Sequence, residues 1–423
     1  MEIVSPAPGP IVVLSASIGA GHDGAAAEIT RRLRTSGCAV RRADYLDLLP
    51  AGWGRALKQT YARQLAYAPA SWGWLLDSAA RPRGTRSAAW FATWAAQRRL
   101  LDVTGPNPAA VISTYPLASQ ALGRLRLAGH LNAPAFAVLT DPAVHPLCVA
   151  PGIDLHLAPN HEAAEVVRTL YGLAAATHTP IVEPAFRPAR DNDEVATARR
   201  RHGLPLDAAL ALVVAGSWGV GDVDATVRDL EAATEAIPVV VCGRNTRLRD
   251  RLAAGGRAIA LGWIDDMPSL LRAADVVVHN AGGLSSLEAL ASGIPLISYR
   301  CLPGHGVANA AALERLGLSA WPRRPEELAP ALAGASRARS IDGPASSACT
   351  TDVAELIRRQ IAGMNPVAVT ALTGPATTEP ATAMPATTVP ATTVPATTVP
   401  ATTVPATTVP ATAEPASAAG MPA

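Results

Sequence analysis

Residues 273–299 read AADVVVHNAGGLSSLEALASGIPLISY, and this stretch decides the fold class. An apolar run ends in a glycine pair, a short helical pattern follows, and a second apolar run closes the stretch. This order predicts strand, turn, helix and strand, the unit from which parallel sheets covered by helices are built. Glycine lets the backbone of such a turn approach a ligand closely, and the start of the helix offers free N–H groups that suit a pyrophosphate.

The same alternation extends outward along the chain. Further apolar runs lie at residues 11–14, 109–114, 135–140, 155–159, 209–216, 237–243, 258–262 and 294–299. Helical patterns separate most of them, and the series restarts after the charged stretch 187–205. We therefore predict an α/β protein with two Rossmann-like domains that face a cleft, with ligands at the carboxyl ends of both sheets. The expected domains are residues 1–188 on the acceptor side and residues 189–365 for nucleotide-sugar binding.

The last segment, residues 366–423, differs in composition from the rest. From Pro375 to Pro415 a proline recurs every fifth residue within repeats of PATTV, without aromatic side chains. Such a sequence cannot bury enough apolar surface to fold, so we expect a disordered tail. A spacer, a threonine-rich sugar acceptor and a repeat without a specific role all remain open for it.

Composition excludes several classes of function. The chain has 423 residues, is 49% hydrophobic and carries a net charge of +2, a normal globular balance that argues against nucleic-acid binding. It lacks the long apolar run of a membrane span and the basic start of a signal peptide, so we expect a cytoplasmic protein. The five cysteines form no C-x-x-C pair, and the histidines have no metal-binding spacing, so we expect no metal.

The N-terminal strand leads into a glycine-rich turn that has two interpretations. Gly19 to Gly24 read GAGHDG, which fits the dinucleotide pattern G-x-G-x-x-G, and Asp44 lies twenty residues further on. That arrangement is typical of an NAD-dependent oxidoreductase. The histidine within the turn, His22, favours another chemistry.

The second half of the chain carries an ordered set of candidate ligand-binding motifs. Ser285 follows the glycine pair, and Glu288 lies one turn into the helix, where a carboxylate can accept hydrogen bonds from a ribose diol. An ordinary helix-to-strand connection with a solvated glutamate is the alternative. The companion motifs upstream are AGSWGVGD with Gly216 and Ser217, VVVCGRN with Arg244 and Asn245, and LGWIDD with Trp263 and Ile264.

The order GSWGVG, VCGRN and GWIDDMPSLLRAADVVVHNAGGLSSLEALASGIPLI resembles the monogalactosyldiacylglycerol synthase family of glycosyltransferases, relatives of the peptidoglycan lipid II N-acetylglucosaminyltransferase. The resemblance covers residues 11–332. It implies a GT-B fold, a UDP-sugar donor held mainly by the second domain, and inversion at the anomeric carbon without a metal or cofactor.

The resemblance also implies roles for the donor-side residues. Trp263 and Ile264 would contact uracil, and Glu288 would bind the ribose. The diphosphate would be wrapped by Gly282, Gly283, Leu284 and Ser285. The segment CLPGHGVANAAAL, residues 301–313, matches the loop that reads the donor sugar. His305 stands there where the family typically has glutamine, so the resemblance does not support galactose as the donor sugar. The remaining predicted donor-binding residues are Gly216, Ser217, Arg244 and Asn245.

On the acceptor side, Gly19, Gly21 and His22 match the family's turn that faces the cleft. An inverting transferase needs a base for the acceptor hydroxyl, and histidine suits that role near neutral pH. A helix-capping or phosphate-contacting role for His22 is the alternative. In VLTDPAVHPLC, Asp141 and His145 match a family string that lines the cleft, and Asp141 is a second candidate for the base or for orienting the acceptor.

Residues 53–99 contain five of the eight tryptophans together with many arginines and the lysine Lys58. This mixture favours an interface with anionic lipids, although internal packing of the aromatic rings is also open. We predict transfer of a hexose from a UDP-sugar to a diacylglycerol-like lipid, with peripheral attachment to the inner face of the cell membrane. The alternatives are a UDP-sugar epimerase or hydrolase, a non-catalytic binding protein and an NAD-dependent oxidoreductase. The oligomeric state stays open.

Overall fold

The computed structural model describes residues 9–67, 86–338 and 351–364, which belong to one compact unit within residues 1–374. Two parallel sheets covered by helices confirm the predicted α/β architecture. The predicted tail, residues 366–423, lies outside the described residues.

The first sheet has six strands in the order β2-β1-β3-β4-β5-β6, all parallel. Its strands are β1 (Ile11–Ser15), β2 (Val40–Asp44), β3 (Ala110–Ser113), β4 (Ala135–Val138), β5 (Leu155–Ala158) and β6 (Ala175–Thr177). The helices that accompany them are α1 (Ala20–Thr35), α2 (Trp53–Tyr67), α3 (Arg86–Thr104), α4 (Pro116–Leu127) and α5 (His161–Tyr171). Because β1 lies inside the sheet, the turn that follows it opens at the carboxyl edge, where ligands of such sheets bind.

The second sheet has five strands in the order β11-β10-β7-β8-β9, also parallel. Its strands are β7 (Leu210–Val214), β8 (Ile237–Val241), β9 (Ile259–Leu261), β10 (Val276–His279) and β11 (Leu296–Ser298). The helices are α6 (Asn192–Arg201), α7 (Val223–Ala233), α8 (Thr246–Gly255), α9 (Met267–Ala273), α10 (Leu284–Ala291), α11 (His305–Arg315) and α12 (Leu328–Ala338).

Both faces of each sheet are buried, which explains why the central strands are continuous apolar runs. In β1 the side chains alternate between two apolar clusters on opposite faces. Val12 and Leu14 pack in the cluster that includes Leu122 of α4, whereas Val13 packs in the cluster that includes Ile29 of α1. A one-residue shift of β1 would exchange these faces, so its register is strongly specified.

The last described helix, α13 (Val353–Met364), returns to the first sheet. Val353, Ile357 and Ile361 are buried in the same cluster as Ile29 of α1, and the Arg32 guanidinium lies 2.8 Å from the Asp352 carboxylate. The sequence assigned this segment to the second domain, whereas its apolar face packs on the first. The boundary between residues 188 and 189 stays a prediction.

Among the described helices, none combines the length and the apolar character that a membrane span requires.

Candidate functional site

Three helices begin with glycine and receive no side-chain cap. Gly19, Gly283 and Gly304 are the N-cap residues of α1, α10 and α11, and within the described ranges no side-chain cap bond is made at these three helix starts. By contrast, asparagine or aspartate side chains cap other helices, namely Asn160, Asp191, Asp222, Asn245 and Asp266. In α10 and α11 the third N–H of the helix binds a main-chain oxygen, from Ser286 to Gly283 and from Val307 to Leu302. The N–H groups before them at these two helix starts can bind an anionic ligand.

The turn between β1 and α1 is fixed by its own side chains. The Ser15 hydroxyl donates to Asp23 Oδ1 at 2.6 Å, and the Asp44 carboxylate accepts from the Ser17 N–H at 3.2 Å. Asp44 also accepts from the Leu46 N–H at 2.9 Å. Main-chain N–H groups thus already occupy the Asp44 carboxylate, which would have to bind a ribose if the turn held a dinucleotide.

The glycines of the opening turn allow α1 to approach α10. A Cβ atom at Gly24 would lie 2.6 Å from Leu284 Cδ2, and one at Gly21 would lie 3.7 Å from Leu284 Cβ. At Gly19 no atom of the described residues lies within 4 Å of a Cβ position. The absence of a side chain at Gly24 therefore allows close packing against Leu284 at the start of α10. This gives the glycine pattern a role other than dinucleotide binding.

His22 lies in the first turn of α1, and its tautomer follows from its hydrogen bonds. Nδ1 lies 2.6 Å from the Thr114 carbonyl oxygen, which can only accept, so Nδ1 carries the proton. The Nε2 lone pair then remains for a substrate proton. Burial lowers the pKa of His22, while the negative charge of Asp141 opposes that shift, so the imidazole is neutral at pH 7.

Asp141 follows β4 and reaches the turn of the second sheet. Its Oδ1 lies 3.2 Å from the position of a Cβ atom at Gly283, so a larger residue there would crowd the carboxylate. Its charge also acts on His22. His145, four residues later, accepts from the Leu147 N–H at 3.2 Å and caps a 3₁₀ turn, Pro146–Cys148. The structure thus brings Asp141 together with His22, and the acceptor role of His145 stays a prediction.

The turn after β10 has little space for side chains. Gly282 has a φ of 75°, and a Cβ atom there would lie 2.7 Å from Asn309 Cβ. The next residues, Gly283, Leu284 and Ser285, form the uncapped start of α10. His305 is the first residue of α11. It lies close enough to His22 for its charge to lower the pKa of His22. The buried Nδ1 of His305 has no hydrogen-bond partner among the described residues.

Glu288 is a half-buried carboxylate on α10 with no hydrogen bond to another described residue. Burial, together with the negative charge of Glu183, raises the pKa of Glu288 to about 7. A carboxylate that retains unused acceptor capacity at this position suits a ligand with paired hydroxyl donors.

The loop after β7 is held by the loop after β8. A Cβ atom at Gly243 would lie 2.6 Å from the Ser217 carbonyl oxygen and 2.7 Å from that of Gly216, so only glycine fits. Asn245 caps α8 and donates to the Gly219 carbonyl at 2.9 Å. Both ends of the Asn245 amide are therefore engaged by the protein, and its predicted donor contact stays a prediction.

Gly243→Ala is expected to destabilise the protein more than Gly256→Ala. Both glycines have left-handed backbones, with φ of 58° and 64°, which costs alanine about 1–2 kcal/mol. Only Gly243 adds a clash with the neighbouring loop, worth about 1–3 kcal/mol more. Thermal unfolding of both variants checks this, and equal losses at the two positions would show that the loops do not touch.

The predicted uracil site is an exposed aromatic platform. The Arg244 guanidinium lies 4.3 Å from the ring centroid of Trp263, and Trp263 Nε1 donates to Asp265 at 2.9 Å. Ile264, beside it, is half-buried against the apolar core of the second sheet. A flat platform of this kind can stack a nucleobase, while Ile264 anchors the loop that carries it.

The predicted membrane region is described only in part. Trp53 and Trp94 are 43% and 54% exposed, and Lys58 Nζ donates to Ser17 Oγ at 3.4 Å. Trp72 and Trp74 lie outside the described residues, as does the side chain of Trp90.

Sequence reasoning missed five residues that build the site. Thr114 and Thr140 follow β3 and β4, where the carboxyl ends of parallel strands meet. The remaining missed residues are Tyr61, Trp218 and Asn309. Two signals were available: Trp218 stands inside the quoted GSWGVG loop, and Asn309 lies four residues after His305, on the same helical face.

Comparison with known proteins agrees with this geometry. Residues 22–175 match the family model of monogalactosyldiacylglycerol (MGDG) synthase, and residues 213–336 match that of glycosyl transferases group 1. The chain is 28% identical over 232 residues to a processive diacylglycerol beta-glucosyltransferase of Bacillus subtilis, covering 52% of this chain and 59% of the relative. It is 26% identical to the same-named protein of Bacillus thuringiensis, covering 57% and 63%. The chain therefore spans less than two thirds of the length of these relatives.

Solved structures share the fold. MurG of Acinetobacter baumannii matches with a TM-score of 0.50 and 16% identity, covering 84% of this chain and 100% of that one. CalG4, the calicheamicin glycosyltransferase, matches with a TM-score of 0.51 and 15% identity, covering 84% and 99%. These likenesses confirm the predicted GT-B architecture.

Proposed function

We propose that this GT-B chain is a member of the monogalactosyldiacylglycerol synthase-like family and that it transfers a hexose from a UDP-sugar to the hydroxyl of a diacylglycerol-like lipid with inversion. The similarity to diacylglycerol beta-glucosyltransferases supports the lipid acceptor. The exposed side chains of Trp53 and Trp94 support peripheral attachment of the protein to the inner face of the cell membrane.

One arrangement carries the proposal: Asp141 lies against Gly283 of the second domain, and its charge acts on His22, whose helix turn lies against Leu284. In this mechanism His22 Nε2 takes the proton of the acceptor hydroxyl as its oxygen attacks the anomeric carbon. The C–O bond to the diphosphate breaks as the new bond forms, which inverts the centre. Asp141 stabilises the imidazolium that results.

The start of α10 supplies the stabilisation of the leaving group. Its uncapped N–H groups and its helix dipole act on the departing diphosphate, so this step needs no metal ion. Glu288, one turn later, accepts from the ribose hydroxyls, and the Trp263 platform holds the uracil. The donor is thus a substrate, and we propose no cofactor.

Release of UDP from a panel of UDP-hexoses, with and without diacylglycerol in mixed micelles, tests this function. Transfer predicts release that depends on the lipid and a glycolipid product. Free sugar or an epimer formed without lipid would instead identify a hydrolase or epimerase. Tight UDP binding without turnover of any donor would identify a binding protein.

Donor binding is expected to release protons near neutral pH. Glu288 is about half protonated at pH 7, and hydrogen bonds from the ribose favour its ionised form, so the bound state lowers its pKa. The affinity for UDP-glucose should therefore fall as the pH drops below about 7. Calorimetric titration in buffers of different ionisation enthalpy counts the protons, since the diphosphate diester has no group titrating there. Glu288→Gln should abolish the release, and persistence of the release in that variant would contradict the assignment.

A further inference from the structure

Two hydrogen bonds cross from the second domain to the turns that carry the proposed base and its partner. Trp218 Nε1 donates to the Ile18 carbonyl at 3.2 Å, four residues before His22. The Ala143 N–H donates to Asn309 Oδ1 at 3.1 Å, two residues after Asp141. One bond thus holds the turn that carries His22, and the other holds the turn that carries Asp141.

We propose that Trp218 and Asn309 are positioning residues that couple the donor-binding domain to the geometry of His22 and Asp141. This inference rests on the proposed function, since it assigns His22 and Asp141 to the reaction. Neither Trp218 nor Asn309 needs to touch the substrate for this role.

The loop that carries Trp218 is held rigidly. Gly219 has a φ of 55°, and a Cβ atom there would collide with the Cys242 carbonyl oxygen. Asn245 holds the Gly219 carbonyl from the other side at 2.9 Å. A displacement of the second sheet is therefore transmitted to the indole rather than absorbed by the loop.

The Trp218 ring also packs between the two domains. It belongs to a small apolar cluster with Val220 and Leu302 of the second domain and with Tyr61 of α2. Burial, together with the negative charge of Asp141, raises the pKa of the Tyr61 hydroxyl to about 12. Tyr61 therefore lies close to Asp141. Trp218 thus donates a hydrogen bond to the turn that carries His22. Its ring packs in the same cluster as Tyr61, which lies close to Asp141.

Asn309 links the turn after Asp141 to the glycine turn after β10. Its side chain is 1% exposed, and its Nδ2 donates to the Ala281 carbonyl at 3.0 Å while its Oδ1 binds Ala143. Its Cβ lies where a side chain at Gly282 would stand. A single buried amide therefore sets the distance between the Asp141 turn and the turn proposed to hold the diphosphate.

The first test is hydrogen exchange of the full chain, which does not depend on turnover. In Asn309→Ala the Ala143 amide should exchange about tenfold faster, because that variant removes its acceptor and keeps the Cβ beside Gly282. In Trp218→Phe, which keeps an aromatic ring, the peptide covering residues 15–22 should exchange faster. Unchanged protection at both places would overturn the proposal.

The second test separates a positioning role from a purely structural one. Each variant should lower kcat about tenfold and change KM for the UDP-sugar less than threefold, because misplacement of the base affects the chemical step. The matched controls are Trp321→Phe and Gln120→Ala; the second removes an amide with two main-chain bonds inside the first domain. Equal losses in controls and variants, or wild-type kcat in the variants, would overturn the proposal. Absence of transfer by the wild type would refute the proposed function alone, and hydrogen exchange would still decide the contacts.

Discussion

His22→Ala is expected to lower kcat for glycosyl transfer by about 10²–10⁴-fold, the usual contribution of a positioned general base. The substitution removes the imidazole whose Nδ1 binds Thr114 and whose Nε2 is left for the acceptor proton. KM for the UDP-sugar should change little, because the donor contacts lie on the second domain. Steady-state kinetics with diacylglycerol micelles measure both constants.

Because burial lowers the pKa of His22, the acidic fall of the wild-type kcat should lie at lower pH than an ordinary imidazole would give. His130→Ala is the matched control, since His130 is exposed and remote from the turn. Calorimetric binding of UDP-glucose to His22→Ala verifies that the cleft is intact. If that variant binds the donor and turns over within a few-fold of wild type, His22 is a helix-start residue and not the base.

Glu288→Ala is expected to weaken UDP-glucose binding by about 10²–10⁴-fold. Two hydrogen bonds from a ribose diol to a carboxylate are worth about 1.5–3 kcal/mol each, and 1.4 kcal/mol corresponds to tenfold. The loss should not come from unfolding. At pH 8 the ionised carboxylate lies half-buried opposite Glu183, so its removal should leave the unfolding temperature unchanged or higher.

The control for this variant is Glu235→Ala, which removes an exposed carboxylate beyond α7 and should bind like wild type. NAD offered to the wild type in the same calorimeter should give no heat of binding, since Asp44 is occupied by main-chain donors. Wild-type affinity of Glu288→Ala for UDP-glucose, or binding of NAD in its place, would contradict the donor site.

The central strands could be predicted from the sequence because burial on both faces makes them apolar runs. No apolar run predicted β2 or β6, which are the two edge strands of the first sheet. Arg41 and Arg42 are exposed in β2, and all three residues of β6 are half-buried. An edge strand needs only one apolar side, so its sequence carries little hydrophobic signal.

The site could be predicted only as two separate halves. Motif order placed His22 near one turn and Gly283 near another, yet the contact between Gly24 and Leu284 is tertiary and has no local pattern. The same holds for α13, whose apolar face gave no sign of which sheet it would cover. Spacing identifies residues on one helix or at one strand end, whereas packing between the two sheets depends on tertiary contacts that no local pattern encodes.

The stereochemistry of the product shows whether transfer proceeds by one inverting displacement. The chain would be incubated with diacylglycerol micelles and an α-linked UDP-hexose, and the anomeric proton coupling of the purified glycolipid would be read by nuclear magnetic resonance. We expect a β-linked glycolipid, formed by one inverting displacement at the cleft that His22 and Gly283 line. An α-linked product, or release of sugar without a glycolipid, would contradict it.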